Sequence, residues 1–167
     1  MPNPIYAWFK GLTQGDIVGF GSWKGEDDQV GREGSSLIQG FEHEVVIPRD
    51  KLTGLASGSR QHGPLKLTKR IDKASPLLYA ALKNNEGLDI VVKWYRYVQG
   101  GAGGQVHYYT TALSQARVCA IRQWFPITVD KSTADYGHQE QVSFSYQAIT
   151  WTWEDGGVTA IDDWQQA

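Results

Sequence analysis

The sequence contains a single cysteine and no long apolar segment, and both shortages exclude classes of protein. One thiol, Cys119, can form neither a disulfide within the chain nor a metal cluster built from several thiolates. No apolar run approaches the roughly 20 residues that a membrane-spanning helix requires. The formal net charge is −2, whereas nucleic-acid-binding domains typically carry a net positive charge. We therefore expect neither membrane insertion nor a nucleic-acid partner.

The start of the chain lacks the features of a secretory signal peptide. Residues 1–12 contain two prolines and one lysine, without a basic region, a long apolar stretch or a small-residue cleavage site. We expect the protein to be cytoplasmic when it folds and assembles. Any later export then requires a route that accepts the folded protein.

Motifs for metal binding and catalysis are also missing. No two of the four histidines lie four residues apart, so their spacing predicts no zinc-protease site; they are His43, His62, His107 and His138. A metal site could form only from residues that are distant in sequence. No G-x-S-x-G motif provides a serine nucleophile. Gly100–Gly104 lacks the lysine and hydroxyl residue of a phosphate-binding loop and is predicted to be a hairpin connection.

The remaining reactive side chains have structural interpretations. Cys119 lies in an apolar-rich run, residues 116–121, and is predicted to be a buried, inert thiol, since such surroundings disfavour the thiolate. The pairs Asp27-Asp28 and Asp162-Asp163 are interpreted as surface charge, because adjacent strand residues point to opposite faces. We predict no catalytic residue, no metal and no cofactor, and so no enzyme.

What the sequence has in excess is glycine and aromatic residues. Its 19 Gly, seven Trp and eight Tyr lie largely in alternating segments separated by turns, which indicates a β-rich protein. We predict strands over residues 4–10, around 17–20, and over 36–47, 65–71, 88–98, 105–121, 140–153 and 158–161.

One segment has helical spacing instead. Apolar residues at 77, 78, 81 and 82 predict a single helix over about 75–84. Ser75 is the expected N-cap and Pro76 suits the first helical position, where a missing N–H costs nothing. The chain is therefore predicted to be mainly β, a single compact antiparallel barrel or sandwich over residues 1–167 with one helix.

One predicted loop and one predicted strand are unusual. Residues 49–63 form a loop of a length that is uncommon unless the loop has a function. In residues 140–153 the apolar side chains move from even to odd positions. Because side chains alternate with a period of two, this change of phase requires a bulge or bend near Ala148. Asp155-Gly156 then predicts a tight hairpin.

The tryptophans allow two interpretations. Exposed aromatic rings on a β-sheet can stack on sugars, which would make this a carbohydrate- or ligand-binding barrel. Trp94, Trp151 and Trp153, however, alternate with aliphatic neighbours as residues of a core face do. The core interpretation is favoured, and the binding module remains the alternative.

Several linked motifs resemble the Hcp family of type VI secretion systems. The segment 65–78, LKLTKRIDKASPLL, is similar to the family signature F-T-K-x-I-D-x-x-S-P-x-L, and residues 149–157, ITWTWEDGG, are similar to I-T-W-T-Y-x-D-G. IYAWFK (5–10), EGS (33–35), FEHE (41–44) and KWYR (93–96) extend the resemblance over essentially the whole chain. Leu67 in place of Phe and the inserted Gly100–Gly104 are departures from the pattern.

The resemblance implies a structural, secreted protein without catalysis. Hcp proteins are β-barrels with a helix that form hexameric rings, and the rings stack into a tube inside a contractile sheath. The tube carries small effectors, is capped by a VgrG spike, stands on a baseplate and is fired into a neighbouring cell. Because the chain ends soon after its last predicted strand, we expect no appended effector domain.

The same resemblance implies two sets of functional residues. The strand containing Phe41, Glu42 and His43 is expected to contribute to the channel wall, with Glu42 at a position that meets cargo. Glu42 as a solvated strand residue without this role is an equally weighted alternative. The long loop is expected to contact a neighbouring subunit or ring through Leu52, Thr53, Gly54, Leu55, Ser57, Ser59, Arg60, Gln61 and His62.

Overall fold

The computed structural model describes residues 3–19, 30–98, 104–125, 127, 129, 132 and 137–164. Within these residues it contains eleven strands and one helix. Their bounds are β1 Ile5–Gly11, β2 Gly15–Ile17, β3 Ser36–Glu42, β4 Val45–Val46, β5 Gln61–His62, β6 Leu65–Arg70, α1 Ala74–Lys83, β7 Leu88–Tyr97, β8 Gln105–Trp124, β9 Gln139–Ser145, β10 Ala148–Trp153 and β11 Val158–Asp163.

Six of these strands close into an antiparallel barrel. Their order is β8-β7-β1-β3-β6-β9, and β9 pairs with β8 to complete the circle. Closure leaves no free edge within the barrel itself. β2 pairs with β1, while β10 pairs with β8 and β11 with β10, so these two strands continue the same antiparallel sheet outside the barrel. The predicted mainly β barrel with one helix is confirmed.

The 20-residue strand β8 serves both parts of this architecture. Its first half pairs with β7 on one side and β10 on the other, and its second half pairs with β9. Gln115 lies at the changeover with φ +51°, a left-handed conformation that is uncommon outside glycine. A further irregularity falls between Val118 and Ala120.

The core fills the barrel from the alternate side chains of its strands. Leu65 and Leu67 of β6, and Ile90 and Val92 of β7, are fully buried. The helix adds its apolar face to the same cluster through Ala74, Leu78 and Ala81. Of the four apolar positions that predicted the helix, Leu78 and Ala81 are buried and Leu82 packs against the core, whereas Leu77 is exposed.

The change of phase predicted near Ala148 is confirmed as a break between two strands. β9 ends at Ser145, β10 begins at Ala148, and both Phe144 and Ile149 remain fully buried. The predicted hairpin is also confirmed, because β10 and β11 pair with Trp153 opposite Val158 and the intervening Gly156 has φ +84°.

The helix begins one residue before the predicted start, and its cap is different. Asp72 Oδ1 accepts the N–H of Ala74 at 2.9 Å, while no side chain of residue 73 caps the helix. The Ser75 hydroxyl instead accepts the N–H of Asp72 and donates to Glu140 Oε1 at 2.7 Å. Ser75 as N-cap is thus wrong, because the helix begins at Ala74 and Ser75 already lies within it. Pro76 occupies the third helical position, where an N–H would also lack an intrahelical partner.

Two predicted strands and the predicted position of Cys119 differ from the structure. The strand over 36–47 is divided into β3 and β4, and the first short strand lies at Gly15–Ile17, slightly earlier than expected. Cys119 is exposed, so the buried thiol is wrong; in β8 the side chains of Ala116 and Val118 are buried, and Cys119 lies on the opposite face of the strand.

Some predictions concern residues that the structure does not describe. Asp27-Asp28 and most of Gly100–Gly104 lie outside the described residues. The strands on either side of the glycines pair antiparallel, with Tyr97 opposite Gln105.

Candidate assembly arm and its anchor

A two-stranded hairpin extends the chain between β3 and β6, and we call residues 43–63 the arm. Val45 pairs with His62 and Val46 with Gln61, so the predicted loop is partly strand. A further bridge joins Arg49 to Ala56. Nearly all residues from 47 to 60 are exposed, which makes the arm a projection from the barrel.

The turn of the arm is held by its own hydrogen bonds. Asp50 Oδ1 accepts the N–H of Leu52 at 2.9 Å, the N–H of Thr53 at 2.7 Å and the Thr53 hydroxyl at 3.0 Å. These donors hold the pKa of Asp50 below its usual value. Gly54 follows with φ +70° and donates its N–H to the Asp50 carbonyl. The exposed turn therefore has one defined conformation without help from the barrel.

The arm presents apolar side chains to solvent. Leu52 is 96% exposed and Leu55 is 69% exposed, and three further apolar residues of the arm are exposed, Val45, Val46 and Ile47. Exposed apolar residues of this number on a structured projection are typical of a surface that meets another molecule.

The base of the arm is anchored to β11 by charged groups. The Arg60 guanidinium donates Nε–H to both oxygens of Asp162, at 2.8 and 2.7 Å, and Nη2–H to the Asp163 carbonyl. His62 Nε2 lies 2.9 Å from Asp162 Oδ2, and its side chain is only 2% exposed. The Arg60 hydrogen bond, followed by that of His62, lowers the pKa of Asp162 against the opposing effect of burial.

The anchor continues inward through a tyrosine. Tyr146, in the break between β9 and β10, places its hydroxyl 2.6 Å from His43 Nε2 and 2.8 Å from His62 Nδ1. Trp151 stands by the His43 ring at 6.2 Å between centroids, and Trp164 by the His62 ring at 5.0 Å. Burial raises the pKa of Tyr146, with the negative Asp162 adding to the effect, so this phenol stays protonated.

The structure separates the three residues expected on the channel wall. Phe41 packs against the core and meets Trp94 edge-on with ring centroids 4.8 Å apart. Glu42 is exposed, with its carboxylate 3.3 Å from Lys66 Nζ across to β6. His43 belongs to the anchor. The Glu42 side chain is the one of the three that is available to a molecule in solution.

The nine residues expected in the neighbour-contacting loop also divide into two groups. Arg60 and His62 bind Asp162, and Gln61 pairs with Val46, so these three form the base. The other six form the exposed part of the arm, Leu52, Thr53, Gly54, Leu55, Ser57 and Ser59. Sequence reasoning missed the anchoring partners Tyr146 and Asp162, which lie about a hundred residues further along the chain.

The Lys-x-x-Asp-x-x-Ser spacing within residues 65–78 proves to be a buried polar cluster. Lys69 Nζ lies 2.7 Å from Asp72 Oδ1 and 2.8 Å from Glu140 Oε1, and the side chains of Lys69 and Glu140 are each only 1% exposed. Ser75 joins Asp72 to Glu140. The cluster fixes the start of α1 to β6 and β9, so its role is structural.

The tryptophans mostly confirm the core interpretation. Trp94 and Trp151 pack against the core, whereas Trp153 is 39% exposed beside Tyr108, so the core assignment is wrong for Trp153. Trp153 shares a face with Ile149 and Trp151, but it is the last residue of β10 and stands next to the exposed turn that follows. A sugar-binding platform would need several such rings, and Arg96 lies over both Tyr108 and Trp153.

Neither a metal site nor a membrane-spanning helix is present among the described residues. Among them, no group of three or more His, Cys, Asp or Glu side chains is arranged to hold a metal ion. Their one helix is also too short to cross a membrane.

Known proteins match this chain along nearly its entire length. It is 42% identical to the major exported protein of Pseudomonas aeruginosa, over 99% of this chain and 97% of that protein. A crystal structure of an Hcp protein matches with a TM-score of 0.88 and 32% identity, covering 98% of both chains. Secreted protein Hcp3 from Pseudomonas aeruginosa matches with a TM-score of 0.77 and 38% identity, over 98% and 99% of the two chains. The family model described as type VI secretion system effector, Hcp, matches residues 7–153, and the chain belongs to that family.

Proposed function

We propose that this protein is the ring-forming subunit of a type VI secretion tube and that it carries effectors in the channel of the ring. The observation that supports this most directly is the arm, which is ordered by its own hydrogen bonds and projects two exposed leucines. The role is structural and requires no cofactor and no catalysis.

The arm suits an interface that repeats from subunit to subunit. A closed ring or a stack needs heterologous contacts, in which one surface of each copy meets a different surface of the next copy. Burying each of Leu52 and Leu55 would contribute about 1.5–3 kcal/mol. Every copy in the ring has the same arm, so each copy makes the same contact with the next ring. The free energies of these contacts add up around the ring and stabilise the stack.

Cargo contact is proposed for Glu42. Its carboxylate is exposed on β3 beside Lys66 of β6, so this part of the barrel surface presents both signs of charge to solvent. A channel wall of mixed charge holds a folded protein weakly, since exposed ion pairs contribute only about 0–1 kcal/mol each. Weak contacts suit a carrier that must release its effector.

The remaining partners follow from the family. We propose that the subunit assembles in the cytoplasm with a VgrG spike, a contractile sheath and baseplate proteins. It then leaves the cell folded, by expulsion of the tube and without a cleaved signal peptide. The name of the Pseudomonas aeruginosa relative, major exported protein, supports an exported role.

Native mass spectrometry together with electron microscopy tests the ring. The purified protein is expected at six times the mass of the chain, and negatively stained particles are expected to be rings with an open centre. A protein that stays monomeric at high concentration and shows no rings would contradict the proposal. A variant with both Leu52 and Leu55 replaced by serine should form rings but stack them less.

A further inference from the structure

Five side chains at the base of the arm form one continuous hydrogen-bonded chain, which we call the latch. It consists of His43, Tyr146, His62, Asp162 and Arg60, in that order, and every link is 2.9 Å or shorter. The latch joins both sides of the arm to β11 and to the break between β9 and β10. Nothing in the family signature includes these residues as a group.

The direction of each hydrogen bond follows from the carboxylate at one end. Asp162 can only accept, so His62 Nε2–H donates to it, and the Nδ1 of a neutral His62 is left without a proton. That nitrogen accepts the hydroxyl proton of Tyr146. The Tyr146 oxygen in turn accepts Nε2–H from His43. The chain is complete when both imidazoles are neutral.

One added proton can be accommodated by reversing part of this chain. A charged His62 donates Nδ1–H to the Tyr146 oxygen, and the hydroxyl then donates to a bare Nε2 of His43. A second proton cannot be accommodated in this way. Both rings would be cationic, with their centroids 6.5 Å apart, so their charges would repel. Both rings would also donate to the same Tyr146 oxygen, and the Tyr146 hydroxyl proton would have no acceptor left in the chain.

Among the described residues whose contacts with the latch are known, a single carboxylate, that of Asp162, can offset the second charge. From the arm come His62 and the Arg60 guanidinium, from β11 the Asp162 carboxylate, and from the break between β9 and β10 the Tyr146 phenol. The carboxylate is already shared by Arg60 and His62, and the rings of Trp151 and Trp164 beside the histidines are uncharged. Burial lowers the pKa of His43, and proximity to His62 lowers it further.

We infer that the latch is a proton-sensitive switch, which holds the base of the arm against the barrel at neutral pH and releases it when His43 and His62 are both charged. Because the arm is the proposed stacking element, the expectation that acid weakens tube assembly rests on the proposed function. The release of the arm from the barrel does not depend on that function.

The sign and size of the effect follow from proton linkage. The latch disfavours the charged form of His43, because the ring is partly buried beside His62, whereas a released arm exposes it to water with an ordinary pKa of about 6.5. The released state therefore binds more protons, and acidification favours it. Between pH 7.5 and 5.5, uptake of one such proton increases the population of released arms by at most about tenfold.

Hydrogen exchange measured by mass spectrometry tests this on the full-length protein. Exchange times at pH 7.5 and 5.5 are corrected for the intrinsic rate, and the assembly state is recorded at each pH by light scattering. Peptides covering residues 44–63 are expected to exchange faster at pH 5.5, by up to about tenfold. Peptides from β6, β7 and β9 should not change.

Two variants and one control separate the latch from a general acid effect. In His43→Gln the amide nitrogen replaces Nε2–H as donor to Tyr146 but cannot take up a proton, so the arm should stay protected at both pH values. Tyr146→Phe breaks both central links, so the arm should exchange fast at both. His107→Gln should respond like the unmodified protein, because His107 binds Thr110 on β8, away from the arm.

Three results would overturn the latch. One is equal arm exchange at the two pH values in the unmodified protein, and another is a full pH response in His43→Gln. The third is a rise that includes the barrel peptides, since that would be acid unfolding of the whole protein. Failure of the ring would show in light scattering and microscopy while the pH response of the arm persists, so the two proposals fail in distinguishable ways.

Discussion

Replacing Lys69 with methionine removes the ammonium group from the buried cluster but keeps a side chain of similar length. Lys69 is fully buried and lies 2.8 Å from Glu140, whose carboxylate would then keep only the Ser75 hydroxyl on Oε1 and the Gln123 amide on Oε2. Asp72 would be less affected, because it is partly exposed and keeps the Ser36 hydroxyl and the N–H of Ala74.

The expected loss follows from leaving the charge of Glu140 buried without its partner. Breaking one side of a buried ion pair typically costs about 3–5 kcal/mol. For a chain of 167 residues, this lowers the midpoint of thermal unfolding by about 10 °C. Adding Glu140→Gln to Lys69→Met removes the orphaned charge and should recover at least half of the loss.

Chemical denaturation followed by circular dichroism measures these free energies, at one protein concentration because assembly shifts apparent stability. Lys66→Met on the same strand is the matched control. Lys66 also faces a carboxylate, at 3.3 Å, but its side chain is 39% exposed and its Glu42 partner is 65% exposed. Its loss should cost about 1 kcal/mol or less. Similar losses for Lys69→Met and Lys66→Met would refute the reasoning.

Three further predictions concern the arm, the channel and the backbone. Replacing both Leu52 and Leu55 with serine should leave the circular dichroism spectrum and the rings intact but shorten or abolish the tubes seen by electron microscopy; tubes of normal length would contradict the stacking role. Glu42→Arg should change the amount of effector that copurifies with the ring, whereas loss of the ring itself would place Glu42 in a subunit interface instead. Gln115→Gly should raise the free energy of unfolding by up to about 1 kcal/mol, because only glycine adopts the φ of +51° without strain; Gln115→Val, the opposite control, should lower it.

Patterns with a short range in the sequence predicted most of the fold. Alternation gave the barrel strands, and the change from even to odd apolar positions located the break between β9 and β10, because a period of two cannot change phase without one. The helix was recognised from its apolar spacing, yet its cap was not. The preference of serine for N-caps is a local tendency, but the helix begins at Ala74, where Asp72 accepts the first N–H. The Ser75 hydroxyl instead donates to Glu140, which lies 65 residues away and could not be inferred from local sequence.

The candidate site was predictable only in part for the same reason. The unusual length of the loop marked residues 49–63 as functional, but length alone does not show which residues project and which anchor. Arg60 and His62 have the same polar character as their neighbours, and only pairing with Asp162 on β11 distinguishes them. Cys119 illustrates a different limit, since an apolar-rich run does not show which face each residue of a strand takes: Ala116 and Val118 are buried, while Cys119 faces outward.

The closure of the barrel also has a consequence for how the chain folds during its synthesis. β1 pairs with β7 across about 90 residues, and the circle is completed only when β9 has emerged. At a synthesis rate of about 5–20 residues per second, β1 therefore waits several seconds for its partner. Throughout that interval β1 and β3 have open edges that could pair with another nascent chain. Many identical subunits made close together would be especially exposed to such mispairing, so coexpression with a general chaperone should raise the yield of folded protein.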